Sequence, residues 1–63
     1  MPVVHVHMLS GRTTEQKRRL VAAITRALVK EAAAKPDAVT VVLHDAEPND
    51  WAEGGRLLGE KRA

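Results

Sequence analysis

Two β-branched runs separated by one amphipathic helix are the feature that most restricts how this chain can fold. The first run, PVVHVHML, covers residues 2–9, and the second, VTVVLHD, covers residues 39–45. Both are typical of strands because branched side chains pack well on a pleated surface. A connection as long as the one between them most naturally makes a right-handed parallel crossover. The pattern therefore predicts an α/β fold built on a βαβ unit.

The connecting segment has the periodicity and the end signals of a single helix. Apolar side chains recur at four-residue spacing on one face, at Leu20, Ile24 and Leu28, with Val21 and Ala27 beside them. This stripe indicates an amphipathic helix. Thr13 and Gln16 fit a capping box at its start. Pro36 disfavours helical geometry in the residue before it, so we expect the helix to end by about Ala34.

The chain is too short to bury a large core alone. It has 63 residues, no cysteine and one aromatic residue, Trp51. A domain of this size buries only about 60% of the surface of its unfolded chain, and without cysteine it has neither disulfides nor thiolate metal sites. Two strands also do not make an independently stable sheet. We predict a single domain over residues 1–63 that associates with further copies, its sheet continuing across a subunit boundary.

Charge and hydropathy argue against two classes of partner. The net charge of +2 arises from interspersed acidic and basic residues, so no nucleic acid is required as a partner. The basic run at residues 17–19 is interpreted as a solvated helix face, because a β-ribbon DNA reader would need a second helix where this chain has its second strand. No apolar run approaches the roughly 20 residues of a membrane span, and no signal peptide is recognisable. We therefore predict a cytoplasmic protein without a membrane partner.

The start of the helix and the two ends of the chain together resemble the pattern of a known protein family. Pro2 opens the first strand, GRTTEQK at residues 11–17 opens the helix, and Trp51 is followed closely by Gly54-Gly55. This arrangement resembles the 4-oxalocrotonate tautomerase family, and the two align without a gap between Pro2 and Gly55. The resemblance implies a βαβ unit with a short C-terminal hairpin. It also implies that two chains form a four-stranded sheet with the helices on one face, and that three such dimers form a hexamer.

The resemblance further implies a cofactor-independent tautomerase, of a kind used in aromatic degradation, that interconverts enol and keto forms of an unsaturated 2-hydroxy or 2-oxo acid. Pro2, freed by removal of Met1, would act as general base and acid. An apolar pocket and a nearby guanidinium both disfavour the protonated amine and move its pKa toward neutrality, as base catalysis requires. If Met1 is retained, the nitrogen of Pro2 is an amide and cannot accept a proton. Pro2 could otherwise simply begin the strand, where its missing N–H breaks no ladder bond.

Three more residues are assigned through the resemblance. Arg12 corresponds to an arginine that binds the substrate carboxylate, often in a site completed by an adjacent subunit, and its planar fork is suited to this. Trp51 corresponds to an aromatic residue that walls the site, although it could also be a core or interface anchor. Thr40 stands where the best-known members carry a second arginine. Losing such a donor at a developing oxyanion typically costs about 3 kcal/mol, or about a hundredfold in rate. We therefore do not expect efficient turnover of the dicarboxylate-like 2-hydroxymuconate, and a monoacid enol of the phenylenolpyruvate type or a biosynthetic intermediate is at least as good a candidate substrate.

Several alternatives stay open on the sequence alone. Thr40 also fits a non-catalytic family member, or one chain of a hetero-oligomer whose partner supplies the arginine. The missing charge could come instead from His7, His44 or Arg56. Acidic residues near the aromatic position could activate water, as in related dehalogenases and hydratases: Glu47, Asp50 and Glu53. Three histidines, His5, His7 and His44, could bind zinc, but strand histidines at this spacing are more often packed or exposed, so we predict no metal.

Overall fold

The fold is a strand–helix–strand unit followed by a small hairpin. The computed structural model describes residues 1–61, with Lys61 described by its backbone alone. Strand β1 covers Val3–Leu9, helix α1 covers Thr14–Ala32 and strand β2 covers Thr40–Ala46. Short 3₁₀ turns at Pro36–Ala38 and Pro48–Asp50 follow α1 and β2, and the chain ends in β3 (Ala52–Glu53), β4 (Arg56–Leu57) and α2 (Leu58–Lys61). The predicted α/β fold, a βαβ unit with a C-terminal hairpin, is confirmed.

The two main strands pair in parallel, and their register sorts the side chains onto two faces. Val3 lies opposite Thr40, and His7 lies opposite His44. Because successive side chains alternate, one face carries Val4, Val6, Met8, Val41, Leu43 and Asp45. Helix α1 packs on this face, where Lys17 pairs with Asp45 at 2.6 Å.

We call the opposite side of the sheet the open face. It carries Val3, His5, His7, Leu9, Thr40, Val42, His44 and Ala46. Val3 is 49% exposed, and His5 and His7 are exposed as well, because α1 covers the other face.

Helix α1 begins where its capping signal predicts. The backbone N–H of Gln16 donates to Thr13 Oγ1 at 3.1 Å, and the N–H of Thr13 donates to Gln16 Oε1 at 2.9 Å. The helix ends at Ala32 because Ala33 adopts the left-handed conformation, with φ 55°. The apolar stripe of the helix is half-buried as predicted, except that Ala27 is exposed.

The protomer has no buried core of its own. None of residues 1–60 is buried. The chain exposes 4799 Å², whereas a compact monomer of this mass exposes about 4,000 Å². Its radius of gyration is 14.9 Å and its extents are 44 × 24 × 14 Å, compared with a radius of about 11 Å for a compact chain of this length. A slab this thin buries more apolar surface only by packing against other chains.

The C-terminal hairpin turns at the glycine pair. Glu53 lies opposite Arg56, and Gly54 and Gly55 between them have φ values of 61° and 79°, which is the geometry of a type I′ turn. The N–H of Leu58 donates to the carbonyl oxygen of Trp51 at 2.9 Å and closes the base of the hairpin. Within residues 1–61, no helix has both the length and the apolar character needed to cross a membrane.

Candidate active site

Pro2 lies at the amino-terminal edge of the sheet, anchored on one side. Its carbonyl oxygen accepts a hydrogen bond of 3.0 Å from the backbone N–H of Thr40. Pro2 itself is half-buried, whereas Met1 is 91% exposed. The chain is therefore held at the carbonyl side of Pro2, while the residue attached to its nitrogen is accessible from solvent.

Thr40 is brought beside Pro2 by the strand register. It is the first residue of β2, directly opposite Val3, and it is exposed on the open face. Of the four residues assigned through the resemblance, Pro2 and Thr40 are the two that adjoin each other within one protomer. The parallel register accounts for this, because it puts the beginnings of both strands at the same edge.

Arg12 lies beyond the opposite end of β1. Gly11 turns the chain there with φ 126°, a value open to glycine and strained for other residues. The exposed Arg12 side chain folds back so that Nη1 donates to the carbonyl oxygen of Leu9 at 2.7 Å. Strand β1 has seven residues, which corresponds to about 20 Å between its ends. Pro2 and Arg12 of one protomer are therefore too far apart to hold the same small substrate.

Trp51 belongs to a third region. It follows the Pro48–Asp50 turn and is half-buried, and the hairpin that it precedes packs against that turn and α2. Single-protomer geometry thus divides the four residues among three places: the amino-terminal edge with Pro2 and Thr40, the carboxyl-terminal edge with Arg12, and the hairpin base with Trp51.

The acidic residues around Trp51 have the surroundings of solvated loop carboxylates. Glu47, Asp50 and Glu53 are all exposed, and Glu53 lies opposite Arg56 in the hairpin. Arg56 is exposed too. None of these positions favours the water-activating role considered for a dehalogenase or hydratase.

The three histidines do meet, on the open face. His5 Nδ1 and His44 Nε2 are 2.8 Å apart, within hydrogen-bond distance. The His44 ring stacks on both neighbours, with its centroid 5.0 Å from that of His5 and 4.4 Å from that of His7. We call these three residues the histidine stack. Among the described residues, no group of three histidine or acidic side chains is arranged to hold a metal ion.

Sequence reasoning grouped His44 with the two β1 histidines, His5 and His7, as possible zinc ligands but did not anticipate that their rings stack. The alternation of β1 was sufficient to align those two residues. His44 joins them only because of the parallel register, in which it lies opposite His7. The signal that could have found the stack is the pairing of the runs VHVH and VVLH in parallel.

Two residues of the basic run at the front of α1 form ion pairs. Lys17 pairs across to Asp45, and Arg18 pairs with Glu15 one turn away at 2.6 Å. Arg18 and Arg19 are exposed. Arg18 and Arg19 agree with the predicted solvated helix face, whereas Lys17 is half-buried against the sheet.

A surface depression of about 400 Å³ lies along the second half of α1. It is lined by Thr25, Arg26, Val29, Lys30 and Pro36. None of the four residues assigned through the resemblance lines it. The depression is therefore separate from the candidate site.

Comparison with known proteins identifies the family of this chain. The model of the Tautomerase enzyme family matches residues 2–61 of the chain. A probable tautomerase from Ralstonia nicotianae is 41% identical over 61 residues, which is 97% of this chain and 94% of that protein.

Solved structures agree with the sequence match. A 4-oxalocrotonate tautomerase isozyme from Methylibium petroleiphilum has a TM-score of 0.91 at 33% identity, covering 97% of this chain and 95% of that one. A chain of a heterohexameric 4-oxalocrotonate tautomerase from Chloroflexus aurantiacus has a TM-score of 0.87 at 30% identity, covering 95% and 97%. The resemblance carried by the sequence and the observed βαβ fold are thus supported independently, and this chain belongs to the tautomerase family.

Proposed function

We propose that this chain is a cofactor-independent tautomerase for an unsaturated 2-hydroxy or 2-oxo acid, with the nitrogen of Pro2 as the proton carrier. The observation that carries the proposal is the position of Pro2 in a tautomerase-family chain. Pro2 is held at the sheet edge through its carbonyl oxygen, and Met1, on its nitrogen side, is 91% exposed. Removal of Met1 would leave a secondary amine at a fixed position.

The chemistry needs no second reactant. The amine accepts a proton from the enol oxygen, or from a carbon next to a carbonyl, and returns it to a carbon of the same conjugated system. One O–H or C–H bond breaks and one C–H bond forms, with no net change in electrons. The pyrrolidine ring fixes φ and so limits the directions in which the nitrogen lone pair can point.

Arg12 is proposed to bind the substrate carboxylate at a site shared between chains. Its guanidinium is exposed and makes one described hydrogen bond, to Leu9, so its other N–H groups are available for a bidentate contact. The distance of about 20 Å along β1 means that the Arg12 that serves a given Pro2 must come from another copy. We propose that Trp51 also contributes an apolar wall to this shared site.

Thr40 is proposed to weaken dicarboxylate turnover. Thr40 adjoins Pro2 through its backbone N–H, and its hydroxyl supplies no positive charge to a developing oxyanion. Charge-assisted hydrogen bonds are roughly twice as strong as neutral ones. We therefore propose a monoacid enol of the phenylenolpyruvate type as a substrate at least as good as 2-hydroxymuconate.

The proposed assembly is a homohexamer made of three dimers, each with a four-stranded sheet. The absence of a buried residue among residues 1–60 supports self-association. Because one relative is a heterohexamer, a second arrangement is considered, in which a different chain supplies the positive charge missing at Thr40. A cytoplasmic location and a single domain over residues 1–63 stay predictions.

The proposal is tested by the intact mass of the purified chain, together with ketonisation of phenylenolpyruvate and 2-hydroxymuconate. We expect a mass without Met1 and turnover of the monoacid enol. A chain that lacks Met1, forms a homogeneous oligomer and turns over neither enol would contradict the proposed substrate class. If activity then appeared on addition of a second family chain, the hetero-oligomer arrangement would replace the homohexamer.

A further inference from the structure

The histidine stack gives the open face an unusual chemical character. His44 lies between His5 and His7, with ring centroids 5.0 and 4.4 Å apart and interplanar angles of 19° and 10°. The hydrogen bond between His5 Nδ1 and His44 Nε2 requires one nitrogen to donate and the other to accept. The arrangement can therefore form only while at least one of these two rings is neutral.

The rest of the open face offers no charge to balance protonated rings. Strand β1 adds Val3 and Leu9 to this face, and β2 adds Thr40, Val42 and Ala46. Helix α1 brings Lys17, but Lys17 and its partner Asp45 belong to the opposite face. At the end of β1, Arg12 reaches the Leu9 carbonyl, and its positive charge would add to the repulsion. In the described chain, the stack therefore has no carboxylate beside it on the open face.

The open face is best covered by further copies of this chain. The protomer exposes 4799 Å², about 800 Å² more than a compact monomer of its mass, and it has no buried residue among residues 1–60. Val3 and Val42 flank the histidines with apolar surface. Neutral stacked rings are compatible with such packing, whereas protonated rings brought together by several copies would be desolvated next to like charges.

We propose that the histidine stack makes self-association of this chain dependent on pH. While at least one of the two rings is neutral, His5 and His44 share their hydrogen bond and the open faces pack together. When both rings are protonated, the hydrogen bond is lost and the faces separate. The sign follows from linkage: separated chains bind more protons than assembled ones, so the assembly weakens as the pH falls.

The first experiment is sedimentation velocity on the full chain from pH 8 to pH 5 at constant ionic strength. We expect the assembly to dissociate below about pH 6, in the range where histidine titrates. If each protomer binds one proton when it leaves the assembly, the association constant per protomer falls roughly tenfold for each pH unit of acidification. An association constant that stays unchanged down to pH 5 would overturn the proposal.

Two variants separate the stack from other acid-titrating groups. His5→Gln combined with His44→Gln should remain assembled at pH 8 and lose the pH dependence. Asp45→Asn, which alters the opposite face of the same sheet, should keep the wild-type dependence. The proposal fails if the double variant assembles but retains the dependence, or if Asp45→Asn abolishes it.

If the double variant does not assemble at pH 8, the proposal is tested on the wild-type protein instead. In that case, the imidazole C–H resonances are followed by NMR over the same pH range. Titration of the rings together with dissociation supports the proposal, and complete titration within an intact assembly overturns it. The inference rests on self-association and not on the tautomerase reaction, so these measurements are independent of whether Pro2 is catalytic.

Discussion

The backbone N–H of Thr40 donates a hydrogen bond of 3.0 Å to the carbonyl oxygen of Pro2. This bond joins the beginnings of β1 and β2. It places the proposed proton carrier beside Thr40, the position at which the resemblance implies a second arginine. Substrate preference is therefore expected to depend on the side chain at residue 40.

Replacing Thr40 with Arg is predicted to improve turnover of a dicarboxylate enol. A guanidinium there would supply a charged donor to the developing oxyanion, an effect of about a hundredfold in kcat. The measurement is kcat/KM for 2-hydroxymuconate in the assembled variant. Thr40→Gln provides a long side chain without charge and should give little gain. Equal gains for both variants would show that length, and not charge, is what Thr40 lacks.

Replacing Arg12 with Ala is predicted to weaken binding of carboxylate substrates. A hydrogen bond to a charged group contributes about 1.5–3 kcal/mol, so KM should rise by roughly ten- to a hundredfold. Arg18 is a matched control, because it is an exposed arginine on α1 that pairs locally with Glu15, and Arg18→Ala should leave KM unchanged. A neutral enol should be insensitive to Arg12→Ala, and an equal loss on that substrate would argue against carboxylate binding.

Mixing two impaired variants is predicted to restore part of the lost activity. Pro2→Ala and Arg12→Ala each lack one half of a shared site. If each site takes Pro2 from one chain and Arg12 from another, chains assort at random in an equal mixture. About a quarter of the sites then contain both wild-type residues. The mixture is dissociated, reassembled and assayed with phenylenolpyruvate. No recovery in a correctly reassembled mixture would mean that the two residues act within one protomer.

Much of the fold could be predicted because local signals agree with the global structure. The capping pair of Thr13 and Gln16 located the start of α1, and the β-branched runs located both strands to within one residue at each end. The predicted helix limit at Ala34 lies two residues beyond the observed end, because Ala33 takes a left-handed conformation that its sequence does not signal. The short 3₁₀ turns and α2 carry no strong periodic pattern.

The site could be predicted less completely, because its residues are far apart in the sequence and are brought together by the pairing of β1 with β2. The contact of Pro2 with Thr40 and the histidine stack both depend on the register of β1 against β2. The expectation that Arg12 and Pro2 cooperate came from the resemblance alone. Their separation along β1 is a property of the folded chain, and it explains why a single protomer leaves the site in pieces.

Replacing Ala33 with Gly is predicted to stabilise the protein. Ala33 has φ 55°, and an L-residue in this conformation costs roughly 1–2 kcal/mol. After the greater chain entropy of glycine is subtracted, we expect a gain of about 0.5–1 kcal/mol in the free energy of unfolding. Ala22→Gly, inside α1, should instead lose about 1 kcal/mol. Urea unfolding at a fixed protomer concentration measures both, and changes of the same sign would contradict the account.

The most direct test of the central claim is kcat/KM for enol ketonisation by Pro2→Ala, compared with wild type and with Pro36→Ala. Intact mass should show that Met1 is absent from all three chains, and sedimentation should show the same assembly. Because general base catalysis contributes about 10²–10⁴-fold, we predict a loss of at least about a hundredfold for Pro2→Ala and near wild-type activity for Pro36→Ala. Undiminished ketonisation by Pro2→Ala would contradict the assignment of Pro2 as the proton carrier.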